Sequence, residues 1–193
     1  MNSKSYTVCR IRDGLGLDAL PVAKITEYPL EERDYRPFAQ CQICVNNETE
    51  LLARLWAFEV SPPPDSELRA VLHLFRDKPE RALHIIARAE DGLPTVRAVV
   101  VENDAPIAEV RGECRDHSGE DLQGIYWGGE VTLHKDALEQ AGGPVLFAPG
   151  EGFPGNFYKT CDSRTPHYGS WSPAGWEPPY AADGMGRIQY VSY

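Results

Sequence analysis

The chain has 193 residues, 42% hydrophobic and 25% charged, which suits one globular domain able to bury a core without disulfides or metal. Its 19 Lys and Arg against 29 Asp and Glu leave a net charge of −10, and residues 116 to 193 carry only four basic side chains against ten acidic. Nucleic acid and anionic membranes both need clustered Lys and Arg, so neither is an expected partner.

No apolar run approaches the roughly 18 residues of a membrane span. The opening residues lack the apolar stretch of a signal peptide, so a cytoplasmic location is expected.

In chain order, residues 1–35 read as an irregular entry packed on the rest of a single 1–193 domain. Asp13-Gly14-Leu15-Gly16 and Leu20-Pro21 are turn signals, Val22 to Thr26 is a short strand candidate, and Glu31 to Asp34 is a solvated charge run. Gln40 to Val45 and Glu50 to Val60 read as strands of a hairpin turning at Asn46-Asn47-Glu48. In the second, Leu51, Ala53, Leu55 and Ala57 share one face and Leu52, Trp56, Phe58 and Val60 the other; a helix is the competing reading. Pro62-Pro63-Pro64 ends either element.

Further strands are expected over Arg69 to Phe75 and Ala82 to Ala89. Thr95 to Glu102 and Ile107 to Cys114 pair around Asn103 to Pro106. Arg115 to Asp121 reads as a polar stretch, and Gly124 to His134 as an amphipathic strand. Asp136 to Gly143 is the convincing short helix, stopped by glycine. The remainder reads as a Gly/Pro/aromatic loop system leading to a last strand, Gly186 to Tyr193. Turn signals every eight to twelve residues or so, with no helical crossovers between strands, predict an all-β fold, an antiparallel β-sandwich with one or two short helices.

Five cysteines without an export signal read as reduced thiols. Cys41-Gln42-Ile43-Cys44 has the spacing of half a zinc site, but on a strand positions i and i+3 face opposite ways. No cofactor is expected beyond a candidate structural calcium in the acidic run Asp116 to Asp121.

Ten of the 19 aromatic residues lie in the last 51 positions. Gly155 to Pro173 mixes flat rings with Asn156, Lys159, Asp162 and His167 on a Gly- and Pro-rich backbone. That is sugar-binding chemistry: a pyranose stacks its C–H face on a ring, while amides, carboxylates and cations bond its hydroxyls. Trp127, Trp171 and Trp176 are candidate platforms, each equally readable as a plug at one end of a sandwich. Trp56, among apolar same-face neighbours, reads as core.

Gly155-Asn-Phe-Tyr-Lys-x-x-Asp, Pro166-His-Tyr-Gly-Ser-Trp-Ser-Pro173 and the closing Gly186-x-Ile-Gln-Tyr resemble the C-terminal signature of the family 9 carbohydrate-binding modules. Gly124-Ile-Tyr-Trp-Gly-Gly-Glu-Val-Thr-Leu followed by Asp136-Ala-Leu is similar to the family's Trp, strand and helical turn. The resemblance implies a sandwich of jelly-roll or immunoglobulin-like topology, akin to DOMON-type domains, and a non-catalytic sugar site. Trp171 and Asn156 are its strongest positions, Trp127 an opposing ring, and Lys159, Asp162 and His167 the polar neighbours. Two other readings stay open: a glycan hydrolase using carboxyls among Asp162, Glu177 and Asp183, and a haem-binding sandwich with His134, His167 or Met185 as ligands.

Overall fold

The structure is a computed structural model that describes residues 4–11, 17–90, 93–163, 165–173, 180 and 185–192. Its strands are β1 (Ser5–Ile11), β2 (Ala23–Ile25), β3 (Ala39–Asn46), β4 (Glu50–Ala57), β5 (Glu67–Leu72), β6 (Arg81–Glu90), β7 (Leu93–Glu102), β8 (Ala105–Glu109), β9 (Glu113–Asp116), β10 (Gly119–Asp121) and β11 (Gly124–His134). Helix α1 (Lys135–Gly142) follows, then β12 (Gly152–Cys161), β13 (His167–Ser170) and β14 (Gly186–Ser192). A 3-10 turn covers Leu17–Ala19. Among the described residues no helix is long and apolar enough to cross a membrane.

All-β is the class, but the strands form one continuous mixed sheet, ordered β10-β11-β4-β3-β1-β14-β12-β5-β6-β7-β8, with β2, β9 and β13 attached at its sides. The purely antiparallel arrangement expected from the sequence is corrected at β1, which runs parallel to both its neighbours, β14 and β3. The sheet curls so that the inner faces of its strands meet in one core, from Tyr6 and Val8 of β1 through Ile43, Leu55, Leu68, Ile85 and Val100 to Leu133 and Phe157. Toward its ends β11 lies against β7, so closely that a Cβ on Gly129 would stand 2.6 Å from Val96 Cβ.

Hairpin chemistry sets the register of the long strands. At Asn47-Glu48 (φ 47° and 60°) and Asn103-Asp104 (φ 49° and 64°) both central residues take positive φ, as the tight turns that follow strand twist require. Helix α1 stops at Gly143, whose φ of 112° suits a residue without a Cβ.

Three stretches differ from the sequence reading. The entry segment contains β1, which carries Tyr6 and Val8 inward and Ile11 outward to a second cluster with Leu17 and Cys44. The polar stretch at 115–121 holds β9 and β10, which are exposed on both faces and so show no apolar alternation. The loop system contains β12 and β13: β12 pairs β5 along one side, and β14 then β13 along the other. Its glycines and proline punctuate a strand. A Cβ on Gly155 would lie 2.4 Å from Ile188 Cδ1 and 2.9 Å from the Val71 carbonyl.

Cys41 faces the main core while Cys44 joins the outer cluster, so the two thiols do not converge on one ligand. Trp56 is buried, but on the face away from the main core, its ring 5.9 Å from His117.

Gly129→Val should cost about 1–3 kcal/mol through overpacking against Val96, seen as a lower urea midpoint at unchanged slope. An unaltered midpoint would show that β7 and β11 do not touch there.

Candidate functional site

Three of the six residues expected to bind ligand come together, but inside the protein. Lys159 projects from the inner face of β12 and is fully buried. Its ammonium meets Glu59 Oε2 at 3.1 Å, Ser66 Oγ at 2.5 Å and His167 Nε2 at 2.9 Å. Each of these accepts a proton, which suits the three donors of an ammonium. Glu59 also accepts from Trp127 Nε1 at 2.9 Å, Ser66 Oγ at 3.3 Å and Tyr35 Oη at 3.2 Å, and the ammonium stands 5.6 Å from the Trp127 ring centroid.

His167 Nδ1 lies 2.7 Å from the Thr165 carbonyl. Its proton is therefore on Nδ1, and Nε2 is the acceptor for Lys159. Burial first and the Lys159 charge second hold His167 below its ordinary pKa, so the ring is neutral. Burial also pulls the Lys159 pKa down, with Glu59 opposing it. The result is a polar network whose donors are satisfied inside the protein.

The other three residues lie elsewhere. Trp171 is 5% exposed and packs its indole on Phe157 (5.4 Å between centroids) and edge-on to Tyr6 (6.2 Å). Its ring fills the space over Gly186, where a Cβ would come within 2.2 Å. Asn156 is fully buried. Its Oδ1 accepts from the Phe157 and Ser172 amides, and its Nδ2 donates to the Ser172 carbonyl, all at 2.9 Å.

Asp162 sits exposed between β12 and β13. Its amide donates to Asp65 Oδ2 at 2.9 Å and its carboxylate accepts from Tyr168. Trp127 and Trp171 therefore do not face each other across an open cleft: each is about 95% buried in the core.

Of the residues named for the other two readings, His134 is exposed at the opposite end of β11 from Trp127 and lies 3.3 Å from Glu50. Met185 packs with Val71, Ala82 and Tyr158. Trp176, Glu177 and Asp183 lie outside the described residues.

One cavity lies among residues the sequence did not single out. On the outer face of β5, β6 and β7 lies a cavity of about 490 Å³. Ile86, Val99, Val101 and Pro106 give it apolar walls, Tyr180 gives it a ring, and Arg69, His84, Arg97 and Asp104 supply the polar groups. That is the size and mixture of a small-molecule site.

Strand alternation builds it. Leu68, Ala70, Leu83, Ile85, Ala98 and Val100 point into the core, so their neighbours Arg69, His84, Ile86, Arg97 and Val99 point outward. Apolar Ile86, Val99 and Val101 alternating with core-facing neighbours were the available signal.

Arg69 is the fixed element of the cavity. Its Nε donates to Glu67 at 2.6 Å, its Nη1 lies 3.0 Å from His84 Nδ1, and its guanidinium sits 4.7 Å from the Tyr180 ring centroid. Arg donates and cannot accept, so His84 Nδ1 is the acceptor and the ring proton sits on Nε2. Burial, then the Arg69 charge, pushes the His84 pKa down to about 3, and the ring is neutral at pH 7.

Lys159→Met should destabilise the protein by about 3–5 kcal/mol, because Glu59 would be left as a buried charge without its cation; chemical denaturation measures it. A pH effect follows from the histidines. His84, His117 and His167 all have folded pKa values below the ordinary 6.5, so below that pH the unfolded chain binds more protons. Stability is complete above pH 6.5 and falls as pH falls. His84 alone accounts for about 2 kcal/mol between pH 6.5 and 5. Melts from pH 8 to 5 should show the decline, and it should be shallower in His84→Gln.

No family model matches the sequence, and no curated protein does. Solved structures do. A Bacteroides uniformis protein provisionally described as carbohydrate-binding aligns with a TM-score of 0.71 at 20% identity, over 98% of this chain and 100% of that one. A family 9 carbohydrate-binding module from Caldicellulosiruptor kristjanssonii, solved with cellotriose, aligns with a TM-score of 0.57 at 12% identity, over 98% of this chain and 95% of that one. At these identities the likeness is one of fold: the chain has a carbohydrate-binding-module-like fold.

Proposed function

We propose that this protein is a non-catalytic carbohydrate-binding protein of the family 9 module type, and that the sugar sits in the cavity over β5, β6 and β7. The observation that carries the reading is the cavity's composition. One aromatic ring and an apolar wall lie beside guanidinium, imidazole and carboxylate groups, as an amphipathic pyranose requires. The shared fold of two carbohydrate-binding structures, one of them holding cellotriose, supports it.

Tyr180, which lines the cavity with Arg69 over its ring, takes, with the part of the ring left open to the cavity, the stacking role that the sequence reading gave to Trp171, whose faces are covered by Phe157, Tyr6 and Gly186. The cavity's described lining includes one carboxylate, Asp104, where glycoside hydrolysis uses a facing pair. This favours binding over turnover.

Titration calorimetry with mono-, di- and trisaccharides tests the reading. Binding should be measurable and modest, and Tyr180→Ala should weaken it by up to about tenfold, the worth of one stacking contact. No heat with any sugar of a broad panel would sink the proposal.

A further inference from the structure

The cavity's charges are not evenly placed. Arg69, Ile86 and Arg97 stand in direct register across β5, β6 and β7, which puts the two arginine Cα atoms about 10 Å apart with an apolar side chain between them. Two residue pairs along, on the same face, Glu67 lies opposite Arg88 and binds both Arg69, at 2.6 Å, and Arg88, at 2.7 Å. Glu67 is thus committed twice. Glu90 and Glu109, on the same face, lie outside the lining, so the charged groups that line the cavity at this end are Arg69 and Arg97.

Arg97 is exposed and has no ion pair or hydrogen bond among the described residues. Asp104 lies at the other end of the cavity, past Val101 and round the turn that follows β7. Arg97 and Val101 alone are separated by roughly 13 Å of strand. In a chain of net charge −10 the cavity therefore has a cationic end and an anionic end, with apolar side chains and the Tyr180 ring between.

Resting on the carbohydrate reading above, we infer that the preferred ligand is an acidic sugar of the uronic-acid type, its carboxylate held by Arg97 opposite Arg69 and its ring over Ile86 and Val99. A planar carboxylate matches the two parallel N–H groups of a guanidinium. Asp104, beyond Val101, is placed to accept from hydroxyls of a second sugar unit, whereas a carboxylate there would be repelled. The polarity fixes the orientation as well as the class.

The test is calorimetry on the full chain with glucuronate and galacturonate, as monosaccharides and trisaccharides, against glucose and galactose of the same lengths. The acidic sugars should bind at least tenfold more tightly at low salt, and that preference should shrink as salt is raised. Because Arg97 is exposed, Arg97→Gln should fold with an unchanged melting temperature and reduce the acid-to-neutral preference by at least tenfold; Arg97→Lys should restore part of it.

Neutral sugars binding as well as acidic ones, with the same ratio in Arg97→Gln, would overturn this inference and leave the carbohydrate reading standing. Glucose 6-sulfate binding as tightly as glucuronate, with the same loss in Arg97→Gln, would overturn the carboxylate assignment. Failure of every sugar to bind would overturn the carbohydrate reading, and the inference with it.

Discussion

The structure depends on β1. It lies between β3 and β14 with parallel pairing on both sides, and it is the link between β10-β11-β4-β3 and β14-β12-β5-β6-β7-β8. Without it each half would end in an open edge of unpaired amides and carbonyls, which a folded protein avoids. Tyr6 secures the strand from within. Its hydroxyl donates to the Pro21 carbonyl at 2.7 Å and accepts from the Ile43 amide at 3.0 Å. Its ring meets Phe157 and Trp171 edge-on. One side chain thus ties β1 to its neighbour β3, to the chain entering β2, and to the strand that pairs with β5. The outer face that holds the cavity is positioned through that chain of contacts.

Opposite faces of the same strands carry the two polar systems. β12 turns Phe157 and Lys159 inward, and Lys159 is tolerated there because Glu59, Ser66 and His167 satisfy its ammonium. β5 turns Leu68, Ala70 and Leu72 inward and presents Glu67 and Arg69 outward. The inner network saturates its own hydrogen bonds. The outer system combines partly committed groups with a cavity. Buried polar residues are a poor guide to binding when every donor already has an acceptor.

Where local chemistry dictates structure, the sequence was legible. The Asn47-Glu48 and Asn103-Asp104 turns, β11 from Gly124 to His134, the short helix and the last strand all follow from turn residues and alternation. β1 was hidden because its partners lie some 35 and 180 residues away and both its faces are buried. β9 and β10 were hidden for the opposite reason, having no buried face. At the site, Lys159, His167 and Trp127 were singled out by residue type and do converge, yet Glu59, on which they converge, had been read only as one position in the strand Glu50 to Val60. Arg69, His84 and Arg97 were read only as members of strands, because what brings them around one cavity is their register across β5, β6 and β7, a non-local fact.

The stretch that most resembled a binding signature explains why a motif can be right about the fold and silent about the ligand. Asn156 holds the chain after β13 against β12 through three hydrogen bonds. Trp171 fills the volume above Gly186, so the glycine that opens β14 is there because an indole needs its space. Both are packing devices. A motif assembled from such devices specifies where the last strands meet, and any chain that closes its sheet in this way needs equivalents of them, whatever it binds. Specificity then has to reside in residues the closure does not use. In this protein the outward positions of β5, β6 and β7 are free of that duty, and a charge can change there without loss of core.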